Sequence, residues 1–306
     1  MNKHLEITPP HFTSIDLFCG GGGASSGIHR AGLTSKLGID TDTQALDCYR
    51  ANNADVPVLQ KAVQYVTAQE IFKITGLKHG ELTHLHGSPP CKLYSTANTK
   101  AAANPPEDAN ANFYEFIRLI YELRPMTFTA ENVDGMLKGN KIPLFNEIIR
   151  RLHGLNDYEF KYKVMNCSYY GIPQDRMRLI FIGKRIDVAP NVRISFPKPN
   201  KEATRFLTIG VVAPHIERFD PKQFDAKPKD KSNLMCTITA TDGLVVFVGG
   251  KWRGLTIPEM KMFMGFPKSF VMPSSARTTN VRILGNALPP PLMYAVIQHI
   301  KNQYLI

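Results

Sequence analysis

The chain has 306 residues, of which 43% are hydrophobic and 21% charged, values typical of a globular protein with a large domain and a smaller one. No apolar run approaches the roughly 20 residues of a membrane span, and the first residues lack the apolar core of a signal peptide. We therefore expect a cytoplasmic protein without a membrane partner. The net charge of +11 favours a polyanionic partner, with nucleic acid the leading candidate.

The first two thirds of the chain alternates between strand-like and helix-like segments. Apolar residues recur at helical spacing at Phe113, Phe116 and Ile120, and Pro125 ends that helix. The predicted elements are strands at 12–19, 82–86, 126–130 and 179–182, a further strand within 56–66, and helices at 24–31, 112–123 and 144–152. This alternation predicts an α/β fold built on a doubly wound, mainly parallel sheet.

The pattern changes after about Arg185. Residues 186–234 are rich in Pro, Lys, Asn and Asp and show no helical period. A structureless segment of that length is uncommon inside a compact domain, so a small second domain is expected. The α/β character returns after Trp252 and ends in a helix at about 292–304. We predict a first domain at 1–185, a small domain at 186–251, and a return to the first domain at 252–306.

Cysteine and histidine spacing predicts neither a disulfide framework nor a metal site. The five cysteines, which are odd in number and lack Cys-x-x-Cys spacing, are Cys19, Cys48, Cys91, Cys167 and Cys236. His84 and His86 alternate along an apparent strand. For this pair we expect solvated or hydrogen-bonded imidazoles rather than metal ligands.

A glycine run follows the first strand and precedes the first helix. Because residues 20–23 have no side chains, a cofactor can approach the backbone there, although glycine turns alone are common. Such sites carry an acidic residue about 20 positions further on, which binds ribose hydroxyls. Asp40 stands at that distance and Asp42 is its rival, and helix capping is an equal alternative for either residue.

A cysteine follows two prolines later in the chain. Pro89 and Pro90 fix the backbone and remove two donors ahead of Cys91, which suits a nucleophile held in one orientation. A buried structural cysteine is the alternative. A cofactor turn together with an exposed nucleophile indicates group transfer through a covalent intermediate.

Two further segments place charged residues beside predicted strands. Glu131 follows an apolar strand, where burial could keep its carboxyl protonated so that it donates a hydrogen bond; an exposed loop glutamate is the alternative. Arg176 and Arg178 alternate ahead of the strand at 179–182 and could converge on an anion or a planar base edge. A solvated arginine pair is the alternative there.

In this order the motifs resemble those of the DNA (cytosine-5) methyltransferase family. The matching segments are Asp-Leu-Phe-x-Gly at 16–20, Pro-Pro-Cys at 89–91 with Ser95 beyond it, Glu-Asn-Val at 131–133, Gln-x-Arg-x-Arg at 174–178, Arg-Gly-Leu-Thr at 253–256 with Gly-Phe-Pro at 265–267, and Gly-Asn-Ala at 285–287. Six ordered motifs are far more specific than any one of them. The resemblance implies a Rossmann-like methyltransferase domain and a small, irregular target recognition domain.

The resemblance also implies S-adenosyl-L-methionine as methyl donor and S-adenosyl-L-homocysteine as product. The implied cofactor contacts are Asp16, Phe18, Gly20, Gly21, Gly22, Asp40, Pro89, Asn286 and Ala287. The chain departs from the family at two positions. It has Ala62 where an Asp usually binds the adenine amino group, and Lys92 where the family usually has Gln.

For catalysis, the resemblance implies that the Cys91 thiolate adds to C6 of cytosine and makes C5 nucleophilic. Protonated Glu131 would hold N3, Arg178 would bind O2 and orient Glu131, and Arg176 would support the Cys91 loop. The cytosine must first leave the stack of double-stranded DNA, and the polar run 92–112 would close over it. The implied DNA contacts are Lys92, Ser95 and Thr237.

Three other functions stay open: an RNA cytosine methyltransferase, an inactive DNA-binding relative, and an amino-group methyltransferase. The target-domain signature of relatives that act on transfer RNA is absent, and intact Cys91, Glu131 and Arg178 argue against an inactive relative. The Cys91→Ser variant tests the amino-group alternative, which needs no cysteine. We expect a monomer in a prokaryotic or phage-infected cell, with a cognate restriction endonuclease as a candidate partner.

Overall fold

The computed structural model describes residues 12–90, 110–221, 229–241 and 243–306, and its largest feature is a seven-stranded sheet. The strands are β1 (Thr13–Leu17), β2 (Thr34–Asp40), β3 (Val58–Gln60), β4 (His84–Gly87), β5 (Thr127–Asn132), β6 (Tyr158–Asn166) and β7 (Met177–Arg185). They lie in the order β3-β2-β1-β4-β5-β7-β6. The first five run parallel and β7 is antiparallel to β5 and β6, so the predicted mainly parallel sheet is confirmed.

Helices cover both faces of this sheet. They are α1 (Gly23–Arg30), α2 (Thr43–Asn52), α3 (Ala68–Thr75), α4 (Ala111–Leu123), α5 (Ile142–His153), α6 (Ile209–Val212), α7 (Ile257–Phe263), α8 (Arg277–Asn286) and α9 (Pro290–Ile300). Leu179 and Phe181 of β7 pack into a core with α4 and α5, whereas Ile180 and Ile182 pack with α1 and α9. Successive strand residues point to opposite faces, so the two cores lie on opposite sides of the sheet. No helix in the described ranges is long and apolar enough to cross a membrane.

A smaller antiparallel sheet occupies the segment that was expected to be irregular. Its strands are β8 (Arg218–Pro221), β9 (Lys229–Asp230), β10 (Leu244–Val248) and β11 (Lys251–Gly254), in the order β11-β10-β8-β9. Phe219 and Val246 from this sheet share a core with Phe263 of α7 and Ile283 of α8. The small sheet therefore packs against the helices that follow it. The boundaries at 185 and 251 stay predictions, and β11 spans the second of them.

Glu259 of α7 binds the small sheet through hydrogen bonds. Both of its carboxylate oxygens accept hydrogen bonds from Arg253 of β11, at 2.7 and 2.8 Å, and His215 lies 2.7 Å from Oε1. The same side chain closes a capping box with Thr256 at the start of α7. Burial opposes its ionisation, but the hydrogen bonds from Arg253, His215 and Thr256 lower the pKa of Glu259 to about 2.

Candidate active site

The turn between β1 and α1 leaves open space at Gly20. Phe18 and Gly20 have φ angles of 58° and 51°, in the left-handed region. A Cβ on Gly20 would meet no atom of the described residues within 4 Å. A Cβ on Gly21 would lie 2.5 Å from Ile283, and one on Gly22 would lie 3.2 Å from an aromatic ring of α2. Gly20 therefore faces space into which a cofactor can fit, while Gly21 and Gly22 are required for packing.

Asp40 and Asp42 have different roles. Asp42 caps α2, because its carboxylate accepts a hydrogen bond from Ala45 N at 3.1 Å, and it also pairs with Arg282 of α8. Asp40 ends β2 and accepts a hydrogen bond from Gly20 N at 2.8 Å. The helix-capping alternative thus applies to Asp42. Asp40, which reaches the glycine turn directly, stays the predicted ribose ligand.

Asp16 is buried at the end of β1, close to the same turn. Its Oδ2 accepts a hydrogen bond from Ser25 Oγ at 2.6 Å, and its Oδ1 has no hydrogen-bond partner within the described ranges. Burial raises the pKa of Asp16 to about 7; Asp40 adds to the rise and the Ser25 hydrogen bond opposes it. A nearby hydrogen-bond donor or positive charge would stabilise the ionised form of this carboxyl.

The C-terminal helices close this region from the other side. A Cβ on Gly23 would lie 2.6 Å from Leu288 O and 3.0 Å from Ala287 Cβ, so α1 and the end of α8 touch. Asn286 ends α8 and is exposed. Ala287 therefore lies beside the glycine turn, as the resemblance implies, and the cofactor contacts of both residues stay predictions.

Cys91, Lys92 and Ser95 lie outside the described residues, as does the predicted lid as far as residue 109. The structure describes the segment that leads to the cysteine. Ser88 N donates to Leu17 O of β1 at 3.3 Å, and the Asn132 side chain of β5 donates to the carbonyl of buried Pro89 at 3.4 Å. The approach to the nucleophile is therefore held between the strand of the glycine turn and the Glu-Asn-Val segment.

Glu131 and Arg178 form an ion pair at this edge of the sheet. Arg178 Nε lies 2.7 Å from Glu131 Oε1, and the two side chains are 11% and 12% exposed. Arg178 also donates from Nη1 to Met177 O at 2.7 Å. Glu131 is therefore a nearly buried strand residue rather than an exposed loop residue, and its orientation by Arg178 stays a prediction. The contacts of the pair with a base stay predictions.

Arg176 connects segments that are far apart in the chain. Its buried guanidinium donates to Ile238 O at 2.7 Å, to Gly285 O at 2.9 Å and to Ala287 O at 3.1 Å. Gln174 supports the same loop by accepting a hydrogen bond from Ile238 N at 3.0 Å. Arg176 therefore joins the loop between β9 and β10 of the small sheet to the end of α8. No local sequence pattern indicates this bridge, and the support of the Cys91 loop by Arg176 stays a prediction.

Thr237 lies in the loop that Arg176 holds. Its hydroxyl donates to Asp175 O at 2.8 Å, and Met235 in the same loop forms an isolated β-bridge with Gln174. The structure thus places Thr237 beside the segment that carries Arg176. Its DNA contact stays a prediction.

His84 and His86 are buried within the sheet and fully hydrogen-bonded. Their ring nitrogens lie between 2.8 and 3.0 Å from the hydroxyls of Thr127, Thr129 and Ser88. The hydrogen-bonded alternative expected for these histidines is confirmed. Sequence analysis does not connect them with the nucleophile segment, although Ser88 is only three residues from Cys91.

Comparisons with known proteins agree with the motifs. A family profile described as C-5 cytosine-specific DNA methylase matches residues 12–228 and 215–302. Type II methyltransferase M1.HphI of Haemophilus parahaemolyticus is 26% identical across 98% of this chain and 89% of its own length. Type II methyltransferase M.XorII of Xanthomonas oryzae pv. oryzae is 31% identical across 67% of this chain and 47% of its own length.

Solved structures share the fold. A protein encoded within an Escherichia coli prophage and described as a DNA modification methyltransferase aligns with a TM-score of 0.73 at 19% identity, over 95% of this chain and 99% of that one. Dnmt2 of S. pombe aligns with a TM-score of 0.65 at 14% identity, over 96% and 99%. These likenesses show the Rossmann-like methyltransferase fold, and the family profile covers nearly all of the described residues. The chain therefore belongs to the C-5 cytosine-specific DNA methylase family and is a DNA (cytosine-5-)-methyltransferase.

Proposed function

We propose that the enzyme methylates a cytosine flipped out of double-stranded DNA, through a covalent bond between Cys91 Sγ and C6 of the base. The observation that carries this proposal is the nearly buried Glu131–Arg178 pair, which lies at the same edge of the sheet as the approach to Cys91. A carboxyl oriented in this way suits the recognition of one base edge outside the helix stack.

The residues of the glycine turn fit S-adenosyl-L-methionine. Among the described residues, Gly20 leaves open space and Asp16 keeps a buried oxygen that lacks a donor. Asp40 holds a carboxylate beside that space for ribose hydroxyls. Asn286 and Ala287 would complete the pocket. With Ala62 in place of the usual Asp, backbone groups would hold the adenine amino group. When bound, this cofactor supplies the electrophilic methyl group that the activated C5 takes up.

Cys91, Glu131 and Arg178 carry out the remaining steps of the proposed reaction. The Cys91 thiolate forms a bond to C6, and the displaced electron pair makes C5 nucleophilic. Protonated Glu131 donates a hydrogen bond to N3 and Arg178 binds O2, which stabilises the charge that develops on the ring. After methylation, a base removes the C5 proton, the C5–C6 double bond re-forms, and the thiolate leaves. Cys91 is thereby regenerated.

The net charge of +11 and the family support double-stranded DNA as substrate. Lys92, Ser95 and Thr237 would contact the DNA, and the run 92–112 would close over the flipped base. The relatives named as Type II methyltransferases support a role in restriction-modification, with an endonuclease partner acting on the same site. We propose a monomer in the cytoplasm of a prokaryotic or phage-infected cell.

Trapping tests the covalent step. The protein is incubated with S-adenosyl-L-methionine and DNA that contains 5-fluorocytosine, whose fluorine cannot leave as a proton does, so the adduct should survive denaturation. Cys91→Ser should abolish the adduct, and sequencing the trapped DNA would give the target. An adduct formed only on RNA would support the RNA alternative. Methylation without an adduct would contradict the cysteine mechanism.

A further inference from the structure

A chain of hydrogen-bonded side chains, all but the first of them buried, runs through the sheet to the segment before the nucleophile. It passes from Ser88 through His86, Thr129, His84 and Thr127 to the carbonyl of Thr83, and we call it the buried relay. The parallel register of β4 and β5 pairs His84 with Thr127 and His86 with Thr129, so the four side chains share one face. Asp16 of β1 stands beside His86 on the same face. Both histidines are at most 1% exposed.

The end of the buried relay fixes its direction. Thr127 Oγ1 lies 2.9 Å from Thr83 O, and since a carbonyl can only accept, the Thr127 hydroxyl must donate to it. Thr127 Oγ1 then accepts from His84 Nδ1 at 2.9 Å, and in the neutral ring that burial favours this leaves His84 Nε2 as an acceptor. Thr129 must therefore donate to His84 Nε2, at 2.9 Å, and has only lone pairs left for the next link.

The remaining links of the buried relay have the same direction. Thr129 Oγ1 accepts from His86 Nδ1 at 2.8 Å, so His86 Nε2 accepts from the Ser88 hydroxyl at 3.0 Å. Burial favours neutral imidazoles, and in that state the chain places the proton of both rings on Nδ1. Burial lowers the pKa of His86 to about 3 and that of His84 well below its usual range, in agreement with this state. Because the last acceptor is a backbone carbonyl, no proton can leave through that end.

We propose that the buried relay positions the nucleophile: it fixes the Ser88 hydroxyl, and through it the segment 88–90 that presents Cys91. This inference rests on the proposed covalent function. The segment needs such an anchor because Pro89 and Pro90 have no N–H to donate. Among the described residues, its backbone is held by the hydrogen bond from Ser88 N to Leu17 O and by the one that Pro89 O accepts from the Asn132 side chain. The Ser88 side chain adds a third attachment, to β4 itself.

Tautomers test the buried relay without any assay of activity. In protein labelled with ¹⁵N-histidine, NMR should show Nδ1 protonated in both His84 and His86. The isosteric Thr127→Val variant removes the acceptor for His84 Nδ1–H, and a buried donor without a partner is costly. Both rings should then switch to the Nε2–H tautomer, reversing every link as far as Ser88. An Nε2–H form in the parent protein, or a His86 that keeps its tautomer in Thr127→Val, would overturn the relay.

Kinetics tests the positioning role. Ser88→Ala and Thr129→Val should lower kcat by about 10- to 100-fold, because small misplacement of a nucleophile costs that much. KM for DNA and for the cofactor should change little. Thr13→Val is the matched control, since Thr13 is a buried strand threonine that bonds Thr83 rather than a histidine. An active parent with unchanged kcat in both variants would refute the positioning role. A parent that forms no adduct, but has the expected tautomers, would refute the covalent function alone.

Discussion

Glu131 and Arg178 hold each other at the carboxyl end of the sheet, where a short contact between nearly buried charges restricts both side chains. Glu131→Gln keeps the shape of the side chain but replaces the carboxyl group with an amide, which neither pairs with Arg178 as an anion nor gives up a proton. We expect the single-turnover rate of methyl transfer to fall about 100-fold or more, since an oriented group that meets developing charge contributes that much.

The matched control for this prediction is Glu147→Gln. Glu147 lies on α5 and pairs with Arg150 and Arg151 at the surface. Its replacement should leave the rate unchanged, because exposed pairs of this kind contribute little. A Glu131→Gln enzyme that transfers methyl groups at the parent rate would remove Glu131 from the proposed chemistry.

Asp16 makes the stability of the protein depend on pH. Its pKa rises from 3.8 to about 7 on folding, so between those values the folded protein keeps a proton that the unfolded chain has released. The free energy of unfolding therefore falls as pH rises through this window, by about 4 kcal/mol in total, and becomes level above it. Asp16→Asn cannot ionise and should lack this dependence.

The measurement is urea unfolding of the cofactor-free protein at several pH values between about 4.5 and 8. The difference in unfolding free energy between Asp16→Asn and the parent should shift in favour of the variant as pH rises. Asp47→Asn serves as control, because Asp47 is exposed on α2. Parallel curves for Asp16→Asn and the parent would show that Asp16 is already ionised at low pH.

At the scale of elements, α1 reaches α9 only because of Gly27. A Cβ there would lie 2.4 Å from Pro290 O and 2.8 Å from Met293 Cβ. Alanine raises helix propensity by about 1 kcal/mol, but the overpacked contact should cost about 1–3 kcal/mol. Gly27→Ala should therefore unfold at lower urea concentration than the parent.

The same variant should bind S-adenosyl-L-homocysteine more weakly, since α1 begins at the glycine turn. Isothermal titration calorimetry measures this effect. His29→Ala, on an exposed position of the same helix, should leave both stability and binding near the parent values. Full stability in Gly27→Ala would mean that α9 moves aside at little cost.

At the scale of the whole molecule, local sequence patterns predict the helices and strands whose formation depends on residues close together in the chain. Phe113, Phe116 and Ile120 predict a helix at 112–123, and α4 starts one residue earlier and ends at the same residue. β6 was not predicted, because as an edge strand it exposes much of its length and has no apolar run. Asp40 and Asp42 could not be separated by spacing alone, since the cap and the contact with Gly20 both form only in three dimensions.

Arg176 belongs to this larger scale, because its three carbonyl partners lie between 62 and 111 residues away in the chain. No local pattern indicates them. Arg176→Met keeps most of the side-chain volume but leaves these buried carbonyls without their charged donor. We expect the free energy of unfolding to fall by about 3–5 kcal/mol.

The hydrogen bonds of Arg176 also connect the predicted DNA site with the predicted cofactor site. Ile238 follows Thr237 in the predicted DNA-contact loop, and Ala287 borders the predicted cofactor pocket. Arg176→Met should therefore raise KM for both DNA and cofactor, measured at a temperature where the variant is folded. Arg205→Met is the control, because Arg205 is exposed and only weakly paired with Glu202. A variant that unfolds earlier but keeps both KM values would make Arg176 a structural residue alone. Parallel changes in both KM values would show that the small sheet and the cofactor turn depend on one side chain.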